Sequence, residues 1–203
     1  AEIEGISAAG LTRASRRYTA VADAELLLRG PLRKKRWPLP PLPAGISPAL
    51  ISYVASKFLK IKPIIISAGL LQKPPFSHVS LEPSEIGPAK CLSSGNAMEK
   101  TRVKLLLDGG FKIGKKSKTS LLITECVPGG TSTAFAVLLG LGINVNGLIS
   151  GSYRNPPSKL KTKIVTQGLK AANLKKNPSS VEVMSAVGDP FQPIAVGLLT
   201  GAV

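Results

Sequence analysis

The chain has 203 residues, of which 43% are hydrophobic and 19% charged, and its net charge is +16 at pH 7. This length is enough for a single folded domain over residues 1–203, which would bury roughly 70% of the surface of the unfolded chain. The apolar content excludes a charge-driven disordered chain, so the composition indicates a compact, basic, globular protein.

Five short apolar runs predict β-strands, at residues 3–7, 61–67, 120–124, 145–150 and 181–187. The runs are mostly apolar rather than alternating, as is typical of strands that are buried on both faces of a sheet. Helical patterns lie between them. This alternation of strands and helices favours an α/β fold with a mostly parallel sheet covered by helices.

Three of the helical patterns are clear from capping and periodicity. Ser47 followed by Pro48 is a typical pair of N-cap and first helical residue, and an apolar stripe follows it. Residues 131–141 are almost uncharged, which predicts a buried helix. Residues 159–172 predict a helix that carries its lysines on one face.

A further helix is expected around residue 100. Asn96 followed by Glu99 resembles a capping box, which predicts the start of this helix. The glycine pair at residues 109–110 predicts its end, because glycine commonly follows the last turn of a helix.

Two long segments interrupt the alternation, at residues 29–47 and 71–91. The first contains five basic residues and five prolines between residues 29 and 43. Loops of this length in a compact domain are usually functional or mobile, so we expect both segments to be exposed or mobile loops.

The sharpest candidate site is the sequence ECVPGGTST at residues 125–133, which follows one predicted strand and precedes a helix. Its glycines can adopt positive φ angles and expose backbone N–H groups. Its three hydroxyl residues stand at the helix N-terminus, where unpaired N–H groups and the helix dipole favour an anion such as phosphate. The alternative is a simple glycine turn with a threonine N-cap. The lysine of a P-loop is missing.

Every predicted strand is followed by small or hydroxyl residues, at positions 7–10, 67–69, 125–133, 150–152 and 188–190. Ligands of open α/β sheets bind beyond the carboxyl ends of the strands, where small residues let a ligand approach the backbone. Together, the five segments indicate a ligand site more strongly than any one of them does.

Two carboxylates near this predicted cleft have open roles. Glu125 would repel a phosphate directly, so it either accepts hydrogen bonds from loop N–H groups or ribose hydroxyls, or serves the structure alone. Asp189 follows a predicted strand and either binds a ribose or organises a turn.

The cysteines and the histidine carry little chemistry. Cys91 and Cys126 have no disulfide framework and no metal-ligand spacing with His78, so we expect no metal site and no cofactor. Cys126 is interpreted as a small structural residue rather than a nucleophile. His78 lies at the surface or at the edge of the substrate site, or takes part in catalysis, and the sequence leaves these roles open.

The location of the protein is predicted from absent signals. The longest apolar stretch, residues 134–149, is too short to span a bilayer, and the first ten residues lack the pattern of a signal peptide. With so few cysteines, these features favour a cytoplasmic protein with no membrane partner.

Basic residues cluster at positions 33–36, 112–118 and 154–176. Such clusters are usually solvated surface, but they can also attract a phosphorylated substrate. Nucleic acid fits the charge too, although aromatic residues are only 4% of the chain and offer no stacking platform.

Taken together, these residues resemble the nicotinate-nucleotide–dimethylbenzimidazole phosphoribosyltransferases, and in particular a diverged microbial branch of them. The resemblance runs over nearly the whole chain. Its most specific part is the ECVPGGTST loop, and it is carried by five stretches: ISAAGLT (6–12), YTAVADAELL (18–27), PAGISPALI (43–51), ECVPGGTSTAFAVLLGLG (125–142) and AVGDPFQP (186–193).

The resemblance implies a Rossmann-like α/β fold with three layers, a mostly parallel sheet with helices on both faces, and a homodimer. It also implies a step in the biosynthesis of the lower ligand of cobalamin. In that step, phosphoribosyl moves from nicotinate mononucleotide to a benzimidazole-type base. The protein would hold the phosphate and position the acceptor, and a carboxylate would remove the acceptor's proton.

Carried over to this chain, the resemblance implies a set of residues that bind the phosphate and the nucleotide: Glu125, Gly129, Gly130, Thr131, Ser132, Thr133, Ser150, Gly151, Ser152, Gly188 and Asp189. Pro128 and Ser132 stand where the established enzymes have other small residues. The family continues in a C-terminal segment that holds its general-base glutamate, and no residue here matches it, so the catalytic residue is unknown.

Two other functions remain open beside the transferase. One is a non-catalytic homologue that binds a nucleotide or phosphate, which the unmatched general base favours. The other is a basic nucleic-acid-binding protein, which rests on the net charge alone.

Overall fold

The structure is a computed structural model that describes residues 3–10, 12–31, 34, 36, 37, 39 and 47–203. It is a mixed α/β protein, about half helical, with one small parallel sheet. Most of the predicted loop at residues 29–47, and half of the basic cluster at residues 33–36, lie outside the described residues.

The α-helices of the described part, in chain order, are α1 (Arg13–Arg16), α2 (Thr19–Arg29), α3 (Pro48–Phe58), α4 (Lys100–Lys116), α5 (Gly130–Gly140), α6 (Ser158–Ala172), α7 (Ser180–Val187) and α8 (Phe191–Ala202). The strands are β1 (Ile66–Ser67) and β2 (Val79–Ser80), and single 3₁₀ turns occupy Ser84–Ile86 and Leu92–Ser94.

The sheet is much smaller than predicted. Strands β1 and β2 pair in parallel, with Ile66 opposite Val79 and Ser67 opposite Ser80. Only the end of the predicted strand 61–67 is therefore a strand, and β2 lies inside the predicted loop 71–91. The predicted strands at 3–7, 120–124 and 145–150 form no ladder among the described residues, so the three-layer sheet is not confirmed.

The strand predicted at residues 181–187 is wrong, because this segment is helix α7. Its start is fixed by a capping box. The Ser179 hydroxyl accepts the N–H of Glu182 at 3.3 Å, and the Glu182 carboxylate accepts the N–H of Ser179 at 3.0 Å. Two otherwise unpaired N–H groups are satisfied in this way, which outweighs the β preference of the valines that follow.

The predicted helix starting at Pro48 is confirmed as α3, and the Ser47 hydroxyl accepts the N–H of Ala49 at 3.2 Å. The predicted capping box of Asn96 and Glu99 is wrong. Helix α4 begins at Lys100 with Glu99 as its N-cap, and no side chain caps it.

The predicted end of α4 at residues 109–110 is also wrong, since the helix continues to Lys116. These glycines serve packing instead of termination. A Cβ at Gly110 would collide with the Ile194 carbonyl of α8, and a Cβ at Gly197 would collide with the Leu107 carbonyl of α4. Gly114 and Gly201 repeat the arrangement one turn further along, so the two helix backbones are in direct contact.

Helices α5 and α6 lie close to their predicted bounds, and they pack with α7 around the largest core cluster. Phe135, Val165 and Val183 are buried in this cluster. Two details differ from prediction. Helix α5 is only partly buried, and Lys161 of α6 does not share an exposed face with the other lysines but lies buried.

The helices of the described part are too short or too polar for a bilayer. None of them combines the length and the apolar character that crossing a membrane requires.

The packing of α4 against α8 gives a stability prediction. Gly110→Ala should lower the free energy of unfolding by about 1–3 kcal/mol, because the new methyl group meets the Ile194 backbone, which cannot move aside alone. The matched control is Gly109→Ala, whose methyl group meets only the Leu81 side chain, at 3.0 Å. Urea unfolding measures both. Equal effects of the two substitutions would contradict the close packing.

Candidate functional site

The loop before α5 has the geometry expected of a tight glycine turn. Gly129 is the N-cap and has a left-handed conformation, with φ +88°. The N–H of Gly130 donates to the Val127 carbonyl at 2.7 Å, and that of Ser132 donates to the Gly129 carbonyl at 2.9 Å. Two N–H groups at the start of the helix are therefore already used by the loop itself.

Lys161 of α6 reaches the start of α5. Its side chain is buried, with 2% of its surface exposed, and its Nζ donates to the Thr131 hydroxyl at 2.8 Å and to the Ser150 carbonyl at 2.6 Å. Burial lowers the pKa of this amine from its ordinary value. Neither of these hydrogen-bond partners is a carboxylate, so neither carries a negative charge that would neutralise the desolvated Lys161 ammonium.

Residues 150–152 lie on the other side of this lysine. A Cβ at Gly151 would stand 2.9 Å from the Lys161 Nζ, so glycine lets the backbone approach the amine closely. The Ser152 hydroxyl points elsewhere: it accepts the N–H of Ala8 at 2.8 Å and lies 3.5 Å from the Ser7 hydroxyl.

Asp189 closes the site next to α5. It is 5% exposed, and its carboxylate accepts a hydrogen bond from the Thr133 hydroxyl and another, at 2.9 Å, from the N–H of Phe191. Burial raises its pKa above the ordinary value, and these hydrogen bonds oppose the shift. Gly188 before it caps α7, and a Cβ there would crowd Gln192 and the Met184 backbone.

The turn after β1 packs onto the residue that follows Asp189. Gly69 has φ +63°, and a Cβ on it would stand 2.8 Å from the ring of Pro190. Its N–H donates to the Glu82 carboxylate at 2.9 Å, and Arg102 of α4 holds the same carboxylate with two bonds of 2.7 Å. A buried ion pair therefore fixes this wall of the site.

Contacts connect the five small-residue segments in series. Contacts join residues 7–10 to 150–152, 150–152 through Lys161 to 129–133, 129–133 to Asp189, and 188–190 to 67–69. Only the segment at 67–69 follows a strand, so the residues converge without the sheet that was expected to bring them together.

Glu125 and Cys126 stand just before the loop. The Glu125 carboxylate accepts the N–H of Val127, and burial, with Asp189 as a weaker cause, raises its pKa. The Cys126 thiol donates to the Asp23 carboxylate at 3.3 Å. Desolvation first, and the Asp23 charge second, raise the pKa of this thiol although part of the residue is exposed, so it is not an activated nucleophile.

His78 takes part in none of the contacts described above, and its Nδ1 lies 2.7 Å from the Phe76 carbonyl. Within the described ranges, no group of three or more histidine, cysteine or acidic side chains is placed to hold a metal ion. The roles of His78 and of the basic clusters in binding stay predictions.

Lys161 is a site residue that the sequence reasoning missed, although the sequence carries a signal for it. It stands three, four and seven residues before Ile164, Val165 and Gly168, which form the buried face of α6. That spacing places a lysine on the inner face of a helix, where a lysine is rarely buried unless its amine is paired.

Ser132 is a second residue of interest. It is buried, and its hydroxyl has no hydrogen-bond partner among the residues that the structure describes. A buried hydroxyl without a partner costs roughly 1–3 kcal/mol, so it is a group that a ligand could satisfy.

Comparison with known proteins finds relatives but no activity. No protein-family model matches the chain. It is 57% identical to a UPF0284 protein of Prochlorococcus marinus strain MIT 9313 and 55% identical to one of Parasynechococcus marenigrum strain WH8102, over its whole length in both cases. A third, of Cyanothece sp. strain PCC 7425, is 42% identical over 98% of the chain.

The chain covers 50%, 51% and 55% of these three proteins, so it spans about half the length of the curated relatives it matches. The shared name fits a diverged family. The name of these relatives states no activity, and it does not confirm the resemblance to the phosphoribosyltransferases.

The burial of Asp189 gives a prediction about pH. Because the pKa of Asp189 is raised in the folded state, the folded chain binds the proton of this carboxyl group more tightly than the unfolded chain does. The group therefore contributes less to stability as the pH rises from the ordinary pKa of 3.8 through the raised pKa. The free energy of unfolding of the wild type, minus that of Asp189→Asn, should therefore fall over this range. The fall should be about 1.4 kcal/mol for every pH unit that separates the two pKa values. A difference that urea unfolding finds constant with pH would contradict the prediction.

Proposed function

We propose that this chain supplies the phosphate-binding site of a phosphoribosyltransferase that moves phosphoribosyl from nicotinate mononucleotide to a benzimidazole-type base. The single observation that carries the proposal is the buried Lys161 amine at the N-terminus of α5. The resemblance of the ECVPGGTST loop to this enzyme family supplies the reaction.

A phosphate suits this position for electrostatic reasons. The start of α5 carries the positive end of the helix dipole, and the Lys161 ammonium stands beside it. A phosphate would give the ammonium the neutralising charge that its present partners lack and would restore its pKa towards the ordinary value. The Thr131 hydroxyl and the unpartnered Ser132 hydroxyl are donors in the same turn.

The carboxylates of Glu125 and Asp189 oppose a phosphate unless they are turned away or protonated. Each already accepts hydrogen bonds from the protein, Glu125 from the N–H of Val127 and Asp189 from Thr133 and Phe191. Their raised pKa values lower the cost of protonation when a dianion arrives. In the proposal they shape the loop and the ribose side of the site.

The chemical step is a displacement at the anomeric carbon. A nitrogen of the benzimidazole forms a bond to C1′ of the ribose, the bond from C1′ to the nicotinate nitrogen breaks, and nicotinate leaves with the electron pair. The acceptor's proton passes to a base. Because cationic pyridinium is a good leaving group, the protein mainly positions the two reactants and holds the phosphate.

The other properties implied by the resemblance to the phosphoribosyltransferases are also part of the proposal. They comprise a three-layer Rossmann-like sheet in the whole protein, a homodimer, a cytoplasmic location and a place in the biosynthesis of the lower ligand of cobalamin. Ser150, Gly151, Ser152 and Gly188 would line the nucleotide cleft, and Gly129, Gly130, Thr131, Ser132 and Thr133 would surround the phosphate.

A second candidate is a homologue that binds the nucleotide without turning it over. The specific observation in its favour is that both carboxylates beside the loop, Glu125 and Asp189, already accept protein hydrogen bonds. Formation of the ribotide from nicotinate mononucleotide and 5,6-dimethylbenzimidazole, followed by chromatography, separates the two candidates: product supports the transferase, and binding without product supports the homologue.

Lys161→Met should weaken the binding of nicotinate mononucleotide by about ten- to a hundredfold, because a charge-assisted hydrogen bond contributes about 1.5–3 kcal/mol. The matched control is Lys159→Met, which removes the same charge from an exposed position on the same helix. Titration calorimetry measures both, and circular dichroism confirms the fold. Equal affinities of Lys161→Met and the wild type would remove the phosphate site.

A further inference from the structure

Residues 120–124, with the sequence SLLIT, lead directly into the candidate site and have the composition of a strand. Two of their three large apolar side chains are nonetheless exposed. Leu122 is 84% exposed, and Leu121 before it is also exposed. Exposing a large side chain of this kind forgoes about 1.5–3 kcal/mol of burial, so adjacent exposed leucines indicate a surface that normally has a partner.

The backbone of this segment is as open as its side chains. Among the described residues, no backbone N–H or carbonyl group between positions 120 and 126 takes part in a backbone–backbone hydrogen bond. Backbone groups of this kind form a template to which another strand can add.

One face of the segment is already packed. Ile123 contacts the cluster of Leu106, Ile194 and Leu198 between α4 and α8, and Ile66 of β1 contacts the same cluster. The segment and β1 thus cover the same helix pair, as two strands of one layer would. The opposite side of the segment is open, since Leu122, which directly precedes Ile123, is exposed.

We propose that residues 120–124 pair, as a β-strand, with an apolar strand from the half of the UPF0284 relatives that lies outside the match to this chain. Two observations select this occupant. The relatives are about twice as long as the matched region, so they contain a polypeptide of the required size. A second copy is disfavoured at this surface because both chains would bring the lysines at positions 115, 116 and 118, which directly precede the segment, to the same interface.

Pairing here goes beyond phosphate binding. Residue 124 is followed at once by Glu125, so a strand added to 120–124 would fix the start of the loop that ends at Thr133. The strand addition can be tested without any ligand, and its result is independent of whether nicotinate mononucleotide binds.

The test co-expresses this chain with the unmatched half of the Prochlorococcus marinus MIT 9313 relative, the latter carrying an affinity tag. We expect a 1:1 complex by size-exclusion chromatography with light scattering, and at least tenfold slower amide hydrogen exchange in the peptide covering 120–126 than in the chain alone. Leu122→Asp should weaken the complex at least tenfold. The matched control, Leu199→Asp on α8, replaces a leucine that is 58% exposed and should have no effect.

Several results would overturn the proposal: no complex, a complex in which 120–126 exchanges as fast as in the free chain, or equal effects of the two substitutions. Protection of 120–126 in the chain alone that grows with its concentration would assign the surface to a second copy instead. Amide hydrogen exchange measured on the intact relative tests the proposal even if the separate halves do not assemble. Rapid exchange in the segment of the relative that is equivalent to 120–124 overturns the proposal, and slow exchange supports it.

Discussion

The site depends on one buried cation. Lys161 crosses from α6 to the start of α5, and its amine is held by the Thr131 hydroxyl and the Ser150 carbonyl rather than by a carboxylate. A lysine in this position costs the folded chain the desolvation of its charge, which its lowered pKa records. In the proposed function, a phosphate bound at the same point would offset that cost, so the residue that destabilises the fold would also supply affinity for phosphate.

The elements around the lysine are arranged by close backbone packing rather than by a large sheet. Glycines bring α4 and α8 into direct contact through Gly110 and Gly197, and Arg102 of α4 then holds Glu82 and the turn at Gly69. That turn lies on Pro190, next to Asp189. The packing of α4 against α8 is thereby connected, through the buried ion pair of Arg102 and Glu82, to the Asp189 carboxylate, which contacts Thr133.

The sequence indicates which small-residue segments lie in contact better than it predicts the fold. Small and hydroxyl residues after an apolar run indicate positions where the backbone closely approaches another backbone segment or a ligand. They indicate such positions whether or not the apolar run forms a strand. Apolar runs predict strands wrongly where local capping favours a helix, as Ser179 and Glu182 do for α7. They also do so where the described residues contain no strand to pair with, as for residues 120–124. Gly110 resembles a helix end because its contact is with a distant helix, and Lys161 is easily overlooked because its neighbours on α6 are surface lysines.

The claim that Lys161 is the counter-charge of a bound phosphate is tested most directly by measuring its pKa. Chain labelled with ¹³C at the lysine Cε carbon, assigned with Lys161→Met, is titrated by NMR alone, with nicotinate mononucleotide, and with the phosphate-free nicotinate riboside. We expect a pKa below the ordinary value of 10.5 in the free chain, a rise on adding the mononucleotide, and no rise with the riboside. A Lys161 pKa that the mononucleotide leaves unchanged, or that both ligands raise equally, would contradict the account.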